Sequence, residues 1–363
     1  MRLQNLYLEN FRNFSKIEVN FSAGTNILAG DNAQGKTNLI ESIYFLAYSK
    51  SYRTSSLSTL LKQGYQISKV SGLVDNDSFT KELTIIIDDN VKKLYVEKKS
   101  VDLRDYLGNL QIVLYEPFTL IFSGLPRERR RYIDRAIVNL DRKYLLDIAN
   151  YNRVLQQRNL LIKSRHSERE EEIWDGEFIK YAIPIWKARF EYLQKLGAEV
   201  EKLKEIFFRA NDEIEMGLKT VPPLSTGSEM WAEEIKNHLS LLKQKEKQIG
   251  YTLLGPHRDD LVIMMNSMDM KLFASSGQLK AILILMTLAH INIFYSVYGE
   301  YPILICDDVD TELDEQKRKS FLSALKSGIQ VFLTTTNKDL SKMVPDAELF
   351  MVKEGSIYKE SNQ

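Results

Sequence analysis

The chain has 363 residues, of which 44% are hydrophobic and 27% are charged, and its formal net charge is zero at pH 7. Its length allows about two domains, and its balanced charge excludes nucleic-acid binding driven by a global positive field, so such binding needs a local basic patch. One cysteine and four histidines argue against internal disulfides and a structural zinc site. With no signal-peptide pattern, we expect a cytoplasmic protein without a membrane partner.

The first third of the chain is β-rich. Alternating apolar and polar residues predict half-buried strands over residues 3–8 and 16–21, and a short apolar run predicts a strand over 25–29. The same reasoning predicts further strands over 69–74, 82–87, 91–96 and 110–115.

A phosphate-binding loop follows the strand at 25–29. Residues 30–37 match the pattern G-x-x-x-x-G-K-[ST], and residues 38–46 after them have apolar positions at helical spacing. In this frame the loop N–H groups and the helix N-terminus hold phosphate, Lys36 reaches the β- and γ-phosphates, and the Thr37 hydroxyl ligates Mg²⁺. The sequence therefore predicts ATP and Mg²⁺ as cofactors.

The middle of the chain changes character. From Pro126 to about residue 215 the pattern is mostly helical, and a stripe of apolar residues over 185–207 predicts either a packed helix or a short coiled-coil arm. Its brevity favours packing inside a compact lobe. Another helix is predicted over 231–248.

The last third returns to α/β alternation. A helix is predicted over 277–298, a strand over 302–306, a helix over 315–325 and a strand over 330–334. The whole pattern predicts an α/β fold in which residues 1–115 and 250–363 form a split P-loop ATPase lobe, with a β-rich N-terminal part. Residues 116–249 form an inserted, mainly helical lobe. This split excludes most simple kinases.

Two segments add chemistry to the phosphate loop. The strand at 302–306 ends in Asp307-Asp308, where Asp307 can hold Mg²⁺ through water and Asp308 can orient the attacking water. The segment at 274–278 opens a helix with Ser275, Gly277 and Gln278, which suits either anion binding or an ordinary N-cap.

These motifs carry a family resemblance. Segment 274–278 resembles the Leu-Ser-Gly-Gly-Gln signature of ATP-binding-cassette (ABC) ATPases, and the order of loop, helical insertion, signature, Asp-Asp strand and Leu313-Asp314 resembles an SMC-like head. The chain resembles the bacterial RecF family of recombination mediators nearly end to end. The matching stretches are 10–14, 30–43, 50–54, 124–126, 129–131, 254–260, 274–278 and 307–314.

The resemblance implies an ATP-dependent homodimer in which each phosphate loop faces the signature of the other copy. It implies Lys36, Asp307 and Asp308 as catalytic residues and Thr37 and Asp307 as metal ligands. It also implies that Arg53 lies near the phosphates, the alternative being a solvated loop residue. The nucleotide-binding residues implied are Arg12, Asn13, Gly30, Asn32, Ala33, Gln34, Gly35, Lys36, Thr37 and Asn38, with Ser275, Gly277 and Gln278 acting in trans.

The implied partners are double-stranded DNA, single-strand/duplex junctions, RecR and RecO. The implied role is to help load RecA at gaps in DNA repair, replication restart and the SOS response. Two departures from transporter-like ABC ATPases predict slow hydrolysis, namely aspartate instead of glutamate at Asp308 and threonines at 334–336 instead of a switch histidine.

The candidate DNA-contacting residues are four arginines. Arg127, Arg129, Arg130 and Arg131 begin a predicted helix, where cations oppose the helix dipole and need acidic or phosphate partners. They form either a DNA-backbone contact or a solvated face. Residues 257–260 either couple nucleotide state to the helical lobe or form a buried ion-pair corner. The alternatives for the whole chain are another SMC-like head and, in a different class, the ATPase subunit of an ABC transporter.

Overall fold

The computed structural model describes residues 1–76, 79–115, 121–122, 124–164, 167–224, 230–308, 314–344 and 346–360. The chain divides into two compact units, one of Met1–Glu116 with Phe294–Gln363 and one of Pro117–Ile293. The first boundary lies beside the one predicted from sequence. The second differs, because residues 250–293 belong to the second unit and not to the predicted ATPase lobe.

In chain order the strands are β1 (Arg2–Phe11), β2 (Phe14–Asn20), β3 (Thr25–Ala29), β4 (Ile67–Asn76), β5 (Phe79–Asp88), β6 (Val91–Val96), β7 (Lys99–Val101), β8 (Ile112–Tyr115), β9 (Ile214–Lys219), β10 (Asp260–Met265), β11 (Met268–Asp269), β12 (Ile303–Cys306), β13 (Val331–Thr335), β14 (Glu348–Lys353) and β15 (Ser356–Lys359). The helices are α1 (Lys36–Tyr48), α2 (Leu103–Tyr106), α3 (Pro126–Leu140), α4 (Lys143–Lys163), α5 (Glu168–Leu203), α6 (Trp231–Ile249), α7 (Met270–Phe273), α8 (Ser276–Tyr298), α9 (Glu315–Ala324) and α10 (Leu340–Met343).

The first unit contains two six-stranded sheets. One is antiparallel in the order β2-β1-β4-β5-β6-β7. The other has the order β15-β14-β3-β13-β12-β8, with parallel pairing from β14 to β8 and only β15 antiparallel. Strand β3 lies inside this second sheet, and its residues Ile27, Leu28 and Ala29 are fully buried. The phosphate loop therefore leaves the carboxyl end of a central parallel strand, where such sheets place their ligands.

Helix α1 joins the two sheets in one apolar core. Its residues Leu39, Ile40 and Phe45 belong to a buried cluster that includes Leu6 of β1 and Phe332 of β13. The amide of Gln330 adds a polar link, because it exchanges hydrogen bonds with the backbone of Leu3. Packing on both sides fixes α1, and so fixes the loop from which α1 begins.

The second unit contains α3 to α8 up to residue 293, with a small antiparallel sheet in the order β11-β10-β9. Helix α5 packs against α3, α4, α6 and β9. It is thus a packed helix within the lobe. The small sheet was not predicted, but the lobe is mainly helical, as expected from the sequence.

Helix α8 is long and apolar enough, by length and composition, to cross a membrane. However, 72% of the apolar window in it is buried inside the protein. Burial of this extent accounts for its apolar composition, because a core helix of a folded domain needs apolar residues on most of its faces.

Candidate nucleotide site

The phosphate loop has a backbone conformation that few residues other than glycine can adopt. Gly30 and Gly35 have φ angles of 156° and 113°, and Ala33 has a φ of 64°. A Cβ on Gly30 would lie 2.3 Å from the carbonyl oxygen of Val352, and one on Gly35 would lie 2.5 Å from Nδ2 of Asn13. Gly30 is therefore required by the close approach of the Val352 backbone as well as by conformation, and Gly35 by its conformation and its contact with the Asn13 side chain.

Lys36 is the first residue of α1 and is only 9% exposed. Its Nζ donates hydrogen bonds to the carbonyl oxygens of Gly30 at 2.6 Å and Asp31 at 2.8 Å. The ammonium group thus folds over its own loop. No side chain caps the N-terminus of α1, and its first turn carries no acidic residue. This leaves a positive helix end beside a buried cation, which is the arrangement that binds phosphate.

Thr37 and Asp307 lie together although they are far apart in sequence. The Thr37 hydroxyl donates to Oδ1 of Asp307 at 3.1 Å, and the hydroxyls of Thr334 and Tyr52 donate to the same carboxylate at 2.7 Å and 3.2 Å. Burial raises the pKa of Tyr52 well above its usual value, with the charges of Asp307 and Glu41 adding to the effect. Tyr52 therefore remains a hydrogen-bond donor at neutral pH.

Asp308 follows in a left-handed backbone conformation, with a φ of 53°. Its backbone N–H donates to the Thr334 hydroxyl at 2.7 Å. Thr334 is fully buried and so bridges both acidic residues at the end of β12. The sequence showed threonine here only as the lack of a switch histidine, and this bridging role was missed.

Arg12 and Arg53 meet on a shared carboxylate that the sequence analysis did not single out. Glu41, on α1, is fully buried and accepts hydrogen bonds from Nε and Nη2 of Arg12 at 2.8 Å and 2.7 Å. Nη1 of Arg53 lies 3.3 Å from Oε2 of the same carboxylate, the oxygen that also accepts from Nε of Arg12. Glutamate on an amphipathic helix usually faces solvent, so sequence pattern alone gave no sign of this burial.

Asn13 and Asn38 connect this carboxylate cluster to the loop. Nδ2 of Asn13 donates to the carbonyl oxygen of Gln34 at 3.1 Å, and Nδ2 of Asn38 donates to Oδ1 of Asn13 at 2.8 Å. Arg53 in turn donates to Oδ1 of Asn38 at 2.9 Å. Both asparagines therefore touch loop or helix residues of the predicted site, while Asn32 is exposed on the loop.

The turn between β14 and β15 rests on the loop and was also missed. The backbone N–H of Glu354 donates to Oε1 of Gln34 at 2.8 Å. A Cβ on Gly355 would lie 2.6 Å from the carbonyl oxygen of Asn13. Glu354 and Gly355 both have positive φ angles, which is the hairpin geometry that a glycine in this position favours. The apolar run before Gly355 was the available sequence signal.

The signature segment lies in the second unit, at the start of α8. The backbone N–H of Ser275 donates to Oε1 of Gln278 at 2.9 Å, and that of Gln278 donates to the Ser275 hydroxyl at 3.3 Å. This reciprocal pair is a capping box. Ser275 is exposed, and the preceding Leu272 and Phe273 are 70% and 68% exposed. The ordinary N-cap interpretation is thus present in the structure, on an exposed surface.

The predicted DNA-contacting arginines have different environments. Arg129 is 2% exposed and makes a two-pronged ion pair with Asp260, with Nη2 to Oδ2 at 2.8 Å. It stabilises the lobe and is not available to DNA, which corrects the prediction for this residue. Arg130 donates to the carbonyl oxygen of Asp259 at 2.7 Å. Arg127 and Arg131 are 62% and 56% exposed and pair with Glu128.

Residues 257–260 form a buried corner inside the second unit. Asp259 is fully buried and accepts hydrogen bonds from Trp186 at 3.0 Å and from Arg189 at 2.7 Å. The His257 ring lies 2.6 Å from the Tyr151 hydroxyl, and burial lowers the pKa of His257 to about 4. The contacts are those of the ion-pair alternative. Glu312 and Leu313, part of the motif after Asp308, lie outside the described residues.

Comparison with known proteins gives consistent results. Residues 2–357 match the family model described as the RecF/RecN/SMC N terminal domain. The chain is 34% identical over 372 residues to the DNA replication and repair protein RecF of Staphylococcus aureus, covering 99% of this chain and 100% of that protein.

Solved structures are similar over the same length. The recombination mediator protein RecF-ATPrS in the RecFOR pathway matches with a TM-score of 0.90 and 31% identity, covering 99% of this chain and 98% of that chain. The RecF-ATP form matches with a TM-score of 0.88 and 31% identity, covering 99% and 97%. The Smc head domain of Pyrococcus furiosus, at a TM-score of 0.56 and 15% identity, covers 99% and 96% and shares the fold alone.

Proposed function

The chain belongs to the RecF family, within the wider RecF/RecN/SMC family, and we propose that it is a recombination mediator whose two copies close on DNA when ATP binds. In this proposal it recognises double-stranded DNA and single-strand/duplex junctions at gaps, and with RecO and RecR it helps load RecA. Full-length similarity to RecF proteins of DNA replication and repair and of the RecFOR pathway supports this role.

One observation carries the proposal. Lys36 is buried on its own loop beside the Thr37–Asp307 pair, in a chain that matches an ATP form of RecF from end to end. When a triphosphate enters, the Lys36 ammonium exchanges loop carbonyls for phosphate oxygens. This exchange replaces neutral acceptors by charged ones and strengthens each hydrogen bond.

Thr37 and Asp307 suit Mg²⁺. They supply a hydroxyl and a carboxylate oxygen within 3.1 Å of each other, and Mg²⁺ prefers oxygen ligands with few protein groups and several waters or phosphates. Bound there, Mg²⁺ would neutralise charge on the phosphates. Tyr52 and Thr334 hold the Asp307 carboxylate by hydrogen bonds, so its direction is set before the metal arrives.

Asp308 is the residue we assign to orienting the attacking water. Its backbone is fixed by the hydrogen bond to Thr334, but its side chain is one methylene shorter than a glutamate. A shorter reach places the carboxylate less well for proton acceptance, whose efficiency depends on hydrogen-bond distance. We therefore propose slow hydrolysis that times the lifetime of the ATP-bound dimer.

The exposed signature supports a composite site between two copies. Ser275 is exposed at the N-terminus of α8, next to exposed Leu272 and Phe273. In the proposed dimer, Ser275, Gly277 and Gln278 of one copy complete the site around the γ-phosphate held by Lys36 of the other. Apolar neighbours of the signature would be covered at the same time.

DNA contact in this proposal rests on the exposed arginines of α3. Arg127 and Arg131 lie on the surface at the start of the helix, with Glu128 as their acidic partner. Phosphate oxygens can replace such a surface partner at little cost. Contacts of this kind read no sequence, so binding should weaken as salt rises.

Sedimentation with ATP, ADP or no nucleotide, each with and without a gapped duplex, tests the proposal. We expect a dimer with ATP and DNA, and monomers for Lys36→Ala and Ser275→Arg under the same conditions. Ser167→Arg is the matched control, because Ser167 also forms an exposed capping box, with Glu170 at the start of α5. Equal amounts of dimer without nucleotide, or loss of dimer in the Ser167 control, would refute the ATP-dependent interface.

A further inference from the structure

Glu41 has more cationic partners than a single buried carboxylate needs. Two guanidinium groups, Arg12 and Arg53, share its two oxygens, and the Ser51 hydroxyl donates to Oε1 as well. Two positive charges on one negative charge leave one surplus positive charge beside the phosphate loop. The charge excess is electrostatically suited to a polyphosphate anion.

The two arginines are held very differently. Arg12 binds Glu41 through two parallel hydrogen bonds, adds one from Nη1 to the carbonyl oxygen of Thr59 at 2.7 Å, and is 18% exposed. Arg53 makes one contact of 3.3 Å with Glu41 and is 42% exposed. A two-pronged, shielded pair resists exchange, whereas a single, half-exposed contact is easily replaced. Arg12 is therefore the fixed cation and Arg53 the exchangeable one.

A series of hydrogen bonds also connects Arg53 to the phosphate loop. Its Nη1 reaches Asn38, Asn38 reaches Asn13, and Asn13 reaches the carbonyl oxygen of Gln34 in the loop. Asn38 follows Thr37 directly on α1, so the guanidinium lies beside residues that hold phosphate in the proposed function.

We propose that Glu41 is a positioning residue that fixes Arg12 and keeps Arg53 beside the loop until a polyphosphate takes its place as the partner of Arg53. The proposal rests on the proposed ATP function. Glu41 competes with phosphate for Arg53, so part of the binding free energy is used to break the Glu41–Arg53 contact. Removing that competition makes nucleotide binding tighter.

Titration of ATP into the full-length protein, by calorimetry, tests the sign of this effect. Glu41→Gln removes the competing charge. Glu41→Asp keeps the charge but draws the carboxylate back from both arginines, so that the single 3.3 Å contact with Arg53 is lost before the two-pronged pair with Arg12. We expect both variants to bind ATP about three- to tenfold more tightly than wild type, as expected for release of one partly exposed ion pair. A purely structural glutamate gives the opposite sign, because a loosened site binds more weakly.

Arg53→Gln tests whether the effect of changing Glu41 depends on Arg53. It lowers ATP affinity, and in its background the Glu41→Asp change no longer tightens binding. Unfolding in urea shows whether each variant is folded. If Glu41→Gln is not folded, the ATP affinity of Glu41→Asp tests the inference. Weaker or unchanged ATP binding by folded Glu41→Asp, or tightening that persists without Arg53, overturns the inference. Failure of the wild-type protein to bind ATP, with Lys36→Ala as the reference, overturns the proposed function instead.

Discussion

Replacing Thr334 by valine removes one hydroxyl that holds both acidic residues at the end of β12. Valine has nearly the same shape, so the change isolates the two hydrogen bonds, one donated to Oδ1 of Asp307 and one accepted from the backbone N–H of Asp308, each 2.7 Å long. Thr334 is fully buried, so water cannot replace the lost partner.

The magnitude follows from these two bonds. A hydrogen bond to a charged group contributes about 1.5–3 kcal/mol, and an orphaned buried N–H costs about 1–3 kcal/mol. Because the new methyl group gains some apolar burial, we expect a net loss of about 2–4 kcal/mol in the free energy of unfolding. The left-handed conformation of Asp308, itself costing on the order of 1 kcal/mol, loses the bond that holds it, so ATP turnover falls at least about tenfold while ATP still binds.

Urea unfolding and ATP turnover on the same preparations provide the assay. Thr287→Val is the matched control, because the Thr287 hydroxyl is also buried but donates only to the helical carbonyl of Leu283. Its loss leaves no orphaned N–H, and we expect a change of less than about 1 kcal/mol. A Thr334→Val protein as stable and as active as the Thr287 control would show that the bridge to the acidic pair has no energetic role.

Two further predictions concern the second unit. Arg129→Ala should lower the free energy of unfolding by about 3–5 kcal/mol, because it leaves Asp260 without its buried partner. Arg131→Ala should leave stability nearly unchanged but weaken duplex binding and make that binding less dependent on salt. Urea unfolding measures the first effect and DNA titration at two salt concentrations the second, and equal stability of the two variants would contradict the assignment. Burial lowers the pKa of His290 to about 4, so the unfolded chain binds a proton at higher pH than the folded protein does. The free energy of unfolding therefore falls by up to about 3 kcal/mol as pH drops from about 6.5 to about 4. His290→Phe should reduce this dependence of stability on pH in unfolding curves recorded across the range, and an unchanged dependence would show that His290 does not titrate there.

Local signals explain what the sequence could predict. The loop at 30–37 requires a strand before it and a helix after it, and β3 and α1 occupy those places. The acidic pair after β12 lies beside Thr37 because the carboxyl ends of parallel strands meet at one edge of the sheet. In both cases short motifs with a known geometric requirement were sufficient.

The missed features depend on burial or on distant contacts. Glu41 and Arg129 have the residue types of a solvent-exposed helix face, and only tertiary packing shows that both are buried. Strand β9 is a different case, because its sequence I-E-M-G-L-K does alternate apolar and other residues, and this signal was overlooked at the end of a stretch with a helical pattern. The Glu354–Gly355 turn was missed as a loop contact because its partner, Gln34, is 320 residues away in sequence.

The position of β3 in its sheet has a consequence for synthesis of the protein. Its two neighbours, β13 and β14, both come from the last part of the chain, so the strand that leads into the phosphate loop has no edge to pair with until roughly the whole polypeptide has emerged from the ribosome. Such distant pairing makes folding slow. It also means that a chain cut short by a premature stop lacks the frame around Lys36. Truncated products should therefore be unable to hold ATP, and unable to capture an intact copy in a defective pair.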